Sequence, residues 1–284
     1  MREIKEKNFP QERALYGEEN LRLIDCTFAG DEDGESALKE CKNIELAGCK
    51  MELRYPLWHG ENLHLDRVSM TETCRASLWY SSGISIEHSE LFGIKALREC
   101  KDVELKQTEV RSPEFGWRSR NIRVEDSSVE GEYPFFEAKD LSFERVHLKG
   151  KYSFQYVENL TVENCVFDTK DAFWHAKNVV VKNSVIKGEY LCWYGENVTF
   201  LGCKIIGTQP LCYCKGLRLV DCEMEEADFA FEYSEVEADL RGRVLSVKNP
   251  RSGHISAETI DEILFTADSK YDCTCEVTIK KKPD

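Results

Sequence analysis

The sequence lacks most of the signatures that would place a chain quickly. No apolar run reaches the roughly 18 residues of a membrane-spanning helix. The opening segment carries Arg2, Glu3, Lys5, Glu6 and Lys7 with no apolar stretch among them, so no secretory leader is expected. Positive charge is in deficit. The 38 Lys and Arg against 52 Asp and Glu leave a net charge of −14, which points away from nucleic acid and anionic membrane as partners. There is no G-x-S-x-G, no phosphate loop and no zinc signature, and no cofactor is expected. What is present excludes disorder: 42% of the residues are apolar and 11% aromatic. A length of 284 residues is enough to bury a core without staples. The 13 cysteines are odd in number. Without a leader they point to a reducing, cytoplasmic setting.

The dominant feature is a repeat. A short pattern, Asn-aliphatic-x-aliphatic, opens at Asn20, Asn43, Asn62, Gly83, Asp102, Asn121, Asp140, Asn159, Asn178, Asn197 and Gly216. From Gly83 onward every spacing is 19 residues. We number each copy from this residue as position zero. Positions +1 and +3 are always apolar (Leu63 and Leu65, Val103 and Leu105, Val179 and Val181), with mostly polar residues between them. That is the period-two alternation of a strand. Position +6 is small or β-branched, and position +8 is again apolar. Asn, Asp and Gly at position zero suit a bend in left-handed backbone geometry. Stacked Asn side chains there would bond from copy to copy.

Nineteen residues hold one turn of a β-solenoid with two or three short strands. A leucine-rich repeat fits less well, because the place of its extra Leu holds Cys41, Gly60 or Ser119. A left-handed hexapeptide helix needs an apolar residue every six places, which these offsets do not provide. The expectation is an all-β, single-stranded right-handed parallel β-helix of about eleven to twelve coils. It would form one domain over residues 1–284, with a cap at 1–19, regular coils over 20–235, and a degenerate coil and cap over 236–284.

The segments Glu12-Arg13-Ala14-Leu15-Tyr16-Gly17, Pro113-Glu114-Phe115-Gly116-Trp117, Asp171-Ala172-Phe173-Trp174-His175, Gly207-Thr208-Gln209-Pro210-Leu211-Cys212-Tyr213-Cys214 and Phe231-Glu232-Tyr233-Ser234 resemble those of the bacterial domain of unknown function 3737 family. The resemblance runs from near residue 9 to the end. It implies a pectin-lyase-like right-handed β-helix and brings no activity, substrate or catalytic residue with it.

Eight of the cysteines fall in two ladders, Cys26, Cys49, Cys165, Cys203 and Cys222 at +6, and Cys41, Cys100 and Cys214 at −2. Free cysteine there acts as a small buried hydrophobe. The C-x-C pairs Cys212/Cys214 and Cys273/Cys275 lack a nearby His to complete a zinc set.

Ahead of each copy lies a second apolar stretch. Position −5 is apolar or small, and −4 is mainly aromatic: Trp58, Trp79, Trp117, Phe136, Trp174, Trp193 and Phe231, with Lys39, Arg98 and Gln155 as departures. Position −3 is polar or amphipathic and includes His59, Tyr156, His175, Tyr194 and Glu232. An in-out-out-in course would place a ladder of aromatics outside, suited to a glycan. Simple alternation would bury the tryptophans, and a covered edge is the third arrangement. The candidate ligand-binding residues are therefore Trp58, Trp79, Trp117, Phe136, Tyr156, Trp174, His175, Trp193 and Tyr194. Glu99, Arg118 and Glu137 on consecutive coils make either an ion-pair ladder or an acid, base and carboxylate clamp, and His175 is the proton-transfer candidate. Glu125, Glu144 and Glu163 stack at +4, where either calcium or the basic Arg123, Arg145, Lys106 and Lys182 would offset their repulsion.

Apart from four extra residues near Asp31-Glu32-Asp33-Gly34 and two near Glu72, no coil carries the loops that usually wall an active site. Three readings remain open. They are a glycan-binding β-helix with an oligosaccharide partner, a non-enzymatic scaffold or self-associating homo-oligomer, and a polysaccharide lyase or glycoside hydrolase.

Overall fold

The computed structural model describes residues 1–30 and 35–280. The insertion at Asp31–Gly34 and the tail end at Lys281–Asp284 lie outside the described residues. The described elements are all strands and bends, with no helix among them, hence none long and apolar enough to cross a membrane. The chain divides into two compact units, Met1–Ser142 and Phe143–Asp284, and each is a parallel β-solenoid.

In the first unit the strands Arg2–Lys5, Glu19–Ile24, Lys42–Ala47, Glu61–Asp66, Ser82–Glu87, Lys101–Lys106 and Arg120–Glu125 stack in parallel. The register keeps like positions together: Leu21 pairs with Ile44, Ile44 with Leu63, and Leu63 with Ile84. The second unit stacks Glu158–Glu163, Lys177–Lys182, Glu196–Leu201, Lys215–Glu225, Glu235–Arg241, Ser252–Ala257 and Glu276–Ile279 in the same way. A second, shorter strand in most turns carries position +8 inward, as in Glu109–Arg111 and Val185–Lys187. The +1, +3, +8 and −5 side chains form the core. Leu23, Leu46, Phe28, Leu57, Val181, Phe200, Ile205 and Phe173 are fully buried.

The described residues make about 14 turns, more than the eleven to twelve counted from the sequence. The excess lies at both ends. Arg2–Lys5 already pairs in register with Leu21–Ile24, so stacking begins before the first Asn. It also continues beyond Glu235 through Ser252–Ala257 to Glu276–Ile279, where the sequence pattern has faded.

The third side of each turn is not a strand. Tyr55, Leu57 and His59 have φ of 56°, 59° and 53°, and Tyr190, Cys192 and Tyr194 repeat this at 56°, 58° and 61°. Left-handed residues thus alternate at −7, −5 and −3. Their N–H groups point alternately to the turns on either side. Tyr55 N–H donates to Arg75 O and His59 N–H to Trp79 O, while Leu57 N–H donates back to Ala37 O. Left-handed geometry costs a non-glycine residue about 1 kcal/mol or more. Here complete pairing of the buried backbone offsets it. Position zero is left-handed as its Asn, Asp and Gly suggest, and the expected side-chain ladder forms. Asn43 Nδ2 donates to Asn20 Oδ1 at 3.0 Å, Asn62 to Asn43 at 3.1 Å, and Asn178 to Asn159 at 3.1 Å.

The bends also explain the small residues at −2 and +6. Ser81 Oγ donates to Leu57 O at 2.7 Å and accepts from Gly60 N–H at 2.8 Å. Cys41 Sγ donates to Leu15 O at 3.1 Å, and Cys214 Sγ to Cys192 O at 3.0 Å. All eight ladder cysteines are buried. They are more than small hydrophobes, because Ser and Cys exchange as side-chain plugs for backbone groups that the bend leaves without a strand partner.

Candidate functional site: the aromatic edge

Positions −4 and −3 follow the bend outward. The −5 residue is buried, the −4 residue half-buried, the −3 residue mostly exposed and the −2 residue buried. The tryptophans are therefore neither core nor free paddles. Each lies against the flank of its unit, with its indole N–H consumed by a backbone carbonyl. Trp58 Nε1 donates to Ala76 O at 2.5 Å, Trp117 to Tyr133 O at 2.7 Å, Trp174 to Tyr190 O at 2.7 Å and Trp193 to Gln209 O at 2.8 Å, and Trp79 bonds Lys95 O likewise. The acceptor is always the −7 carbonyl of the following turn. Gln155 Nε2 donates to that same carbonyl, Asp171 O, at 3.3 Å. It stands in for an indole instead of breaking the pattern.

In the first unit Trp58 and Trp79 stack at 5.1 Å with planes 3° apart. The Arg98 guanidinium lies 4.8 Å from both Trp79 and Trp117. A planar cation between two indoles continues the stack. Phe136 follows Trp117 at 5.1 Å. Outside this row His59 stacks on Tyr80 at 5.0 Å, and Arg118 Nε bonds Glu137 Oε2 at 2.7 Å. That bond, with the charge of Glu137 and then Glu99, holds the Arg118 guanidinium above its ordinary pKa. Arg118 is thus occupied by Glu137.

In the second unit Trp174 and Trp193 stack at 5.4 Å and 4°. Outside them runs a longer row. Tyr156 stacks on His175 at 4.8 Å, His175 on Tyr194 at 4.9 Å and Tyr194 on Tyr213 at 4.8 Å, all within 15° of parallel. Tyr156 is 48% exposed and Tyr194 42%. Because each ring covers its neighbour's face, the exposed surface is a row of ring edges. Burial pushes the His175 imidazole below its ordinary pKa, with Glu196 opposing and Lys177 adding. Burial thus favours its neutral form, and its faces are closed by two phenols. Burial raises the Tyr213 phenol to about 12.

The row ends on residues the repeat did not flag. Tyr213 meets Tyr233 at 5.7 Å, and Tyr271 packs edge-on to Tyr233 at 5.0 Å. Lys270 N–H donates to Tyr233 Oη at 3.1 Å, so the C-terminal segment covers this end. Tyr233 stands where spacing alone would put Glu232. Tyr213 N–H donates to Glu232 O and Phe231 N–H to Pro210 O. Phe231 is accordingly a −5 core residue, fully buried, and its placement at −4 is corrected by one residue. The cause is a missing bend. Leu217 pairs with Val236, and the left-handed residue supplied by Gly216 has no counterpart before Val236. The absence of Asn, Asp or Gly at Glu235 is the signal for it.

Of the acidic +4 residues, Glu125 and Glu144 are paired locally. Arg123 Nε bonds Glu125 at 2.5 Å in the first unit. In the second, Glu144 pairs with Arg145, whose N–H donates to Glu163 O. Among the described residues no group of three or more His, Cys, Asp or Glu is placed to hold a metal ion.

The fold and this edge define the chain as a parallel β-solenoid repeat protein with stacked aromatic rows on one side of its turns. It belongs to the family of proteins of unknown function DUF3737, which it matches over residues 2–278. No curated protein matches it. Among solved structures it is similar to the A-module of mannuronan C-5 epimerase AlgE6 from Azotobacter vinelandii, at 10% identity over 93% of this chain and 91% of that one, with a TM-score of 0.42. It is also similar to PfbA, a surface adhesin of Streptococcus pneumoniae, at 8% identity over 88% and 86%, with a TM-score of 0.43.

Proposed function

We propose that the chain is a binding protein that lays an oligosaccharide along the outer row of the second unit. The observation that carries this reading is the row Tyr156, His175, Tyr194 and Tyr213, regularly spaced at 4.8–4.9 Å. Such a spacing is comparable with the length of one sugar ring. The ring faces are occupied by one another, so recognition runs through ring edges, phenol hydroxyls and a neutral imidazole that both donate and accept. Those groups suit the hydroxyls of a neutral sugar. The net charge of −14 and the pairing of Arg118 with Glu137 both disfavour a uronate chain. Binding is favoured over turnover because His175 is closed on both faces by phenols, and the Glu196 carboxylate that acts on it is tied to Lys177 at 3.1 Å. Thirteen free thiols, several of them hydrogen-bonded plugs at the bends, support our placing of the protein in the reducing cytoplasm.

Calorimetric titration with neutral and uronate oligosaccharides of increasing length tests this. A neutral series is expected to bind, with affinity rising as the chain lengthens over the row. Tyr194→Ala, which removes the middle of the row, should weaken it at least tenfold. Absence of binding by every series, or binding indifferent to Tyr194→Ala, would sink the reading.

A further inference from the structure

The terminal turn of the second unit is unfinished. Among the described residues, Glu276–Ile279 pairs only with Ser252–Ala257, and Thr259–Leu264 only with Arg243–Lys248. Val277 and Ile279 lie in register on Ile255 and Ala257, both fully buried. They occupy core-facing positions, and no described residue pairs with the strand on its other side. Ile279 is 54% exposed, and Phe265 51% and Ile263 39% expose apolar surface on the turn beneath it. The free edge also carries unpaired backbone groups. Thr274 and Lys280 N–H donate to Arg251 and Ala257 carbonyls. The alternation of a parallel strand then turns the N–H and C=O of Val277 and Ile279 outward. An apolar end with open donors and acceptors is a template for another strand.

We propose that a second copy of this chain covers it, end to end, through antiparallel pairing of the two Glu276–Ile279 strands about a two-fold axis at Thr278. The sequence Glu276-Val277-Thr278-Ile279-Lys280 is self-complementary in that arrangement. Val277 falls opposite Ile279 of the partner subunit, as the hydrogen-bonded pair that their outward groups require. Glu276 falls opposite Lys280 of the partner subunit, an ammonium that each chain holds at its rim between Asp239 at 2.6 Å and Leu240 O at 2.7 Å, so opposite charges face one another. The two-fold keeps the core-facing sides together, joining one apolar end to the other.

The chain's other end is a poor occupant. The edge strand Arg2–Lys5 carries Arg2 at the place in register with Leu21, and Arg2 is tied to Glu18 at 2.8 Å. Stacked in the register of the turns, it would set the Arg2 guanidinium over Cys275, a buried core-facing thiol, which is costly. Pairing of like strands about a two-fold is isologous, so association closes at two.

Sedimentation equilibrium of the full chain at high micromolar concentration, with amide exchange on the same samples, tests the proposal. We expect a species of twice the 32.8 kDa chain mass. Ile279→Lys, an exposed substitution, should weaken it tenfold or more, and the Val277 and Ile279 amides should gain protection as concentration rises. A single-chain mass throughout, a dimer indifferent to Ile279→Lys, or concentration-dependent protection at the Tyr194 edge instead would overturn it.

Discussion

At the residue scale the sharpest constraint is the bend at position zero. Asn holds left-handed geometry and passes a hydrogen bond to the turn before it. Gly83 interrupts that ladder. Its φ is +65°, and a Cβ there would sit 2.7 Å from Asn62 Oδ1. Gly83→Ala should therefore lower stability by about 1 kcal/mol in urea unfolding. Gly83→Asn should cost less, because its amide can donate to Asn62 Oδ1 as Asn62 does to Asn43. Equal losses for the two would show that the ladder adds nothing. The bend was legible because Asn, Asp and Gly share one steric property. The left-handed Leu57, Phe173 and Leu211 were not, since nothing in an aliphatic side chain favours that geometry. It is imposed by the carbonyls of neighbouring turns.

At the element scale the question is how each bend closes its buried backbone groups. Ser81 serves Leu57 O and Gly60 N–H at once. Ser81→Ala leaves both without a partner and should cost about 1–3 kcal/mol. Ser81→Cys should cost less, because a thiol fills the equivalent slot at Cys41, Cys100 and Cys214. Chemical unfolding of the two variants decides the matter, and equal stability would remove the plug role. The pattern of small residues at −2 and +6 was visible in the sequence, but its purpose needed the neighbouring turn. The same holds for Gln155, which spacing marked as an exception and geometry shows to be an indole's substitute.

At the scale of the whole molecule the buried thiols predict alkaline instability. Burial raises Cys41 and Cys49 to about 11 and Cys74 and Cys100 to about 12. The folded pKa lies above the unfolded one, so the unfolded chain loses these protons first. The stabilisation is complete below about pH 8.5 and is lost as pH rises toward the folded values. Each such thiol removes about 1.4 kcal/mol per pH unit over that window. The melting temperature should thus hold up to about pH 8.5 and fall steeply between about pH 9 and 11. A flat profile through that window would contradict it.

The sequence by itself determined that this chain is a stacked parallel solenoid. A 19-residue period with apolar residues at +1, +3 and +8 buries them only when each turn lies on the last, and that is a local, repeated instruction. It also marked the edge where the aromatics gather. Only the tertiary structure decided what that edge presents, because the faces of Trp58, Trp174, His175 and Tyr194 are closed by rings one turn away. It likewise placed Tyr233 and Tyr271 at the end of the row and left Val277 and Ile279 uncovered on the last strand. The repeat ends in these segments, and only contacts between distant parts of the chain give them a place.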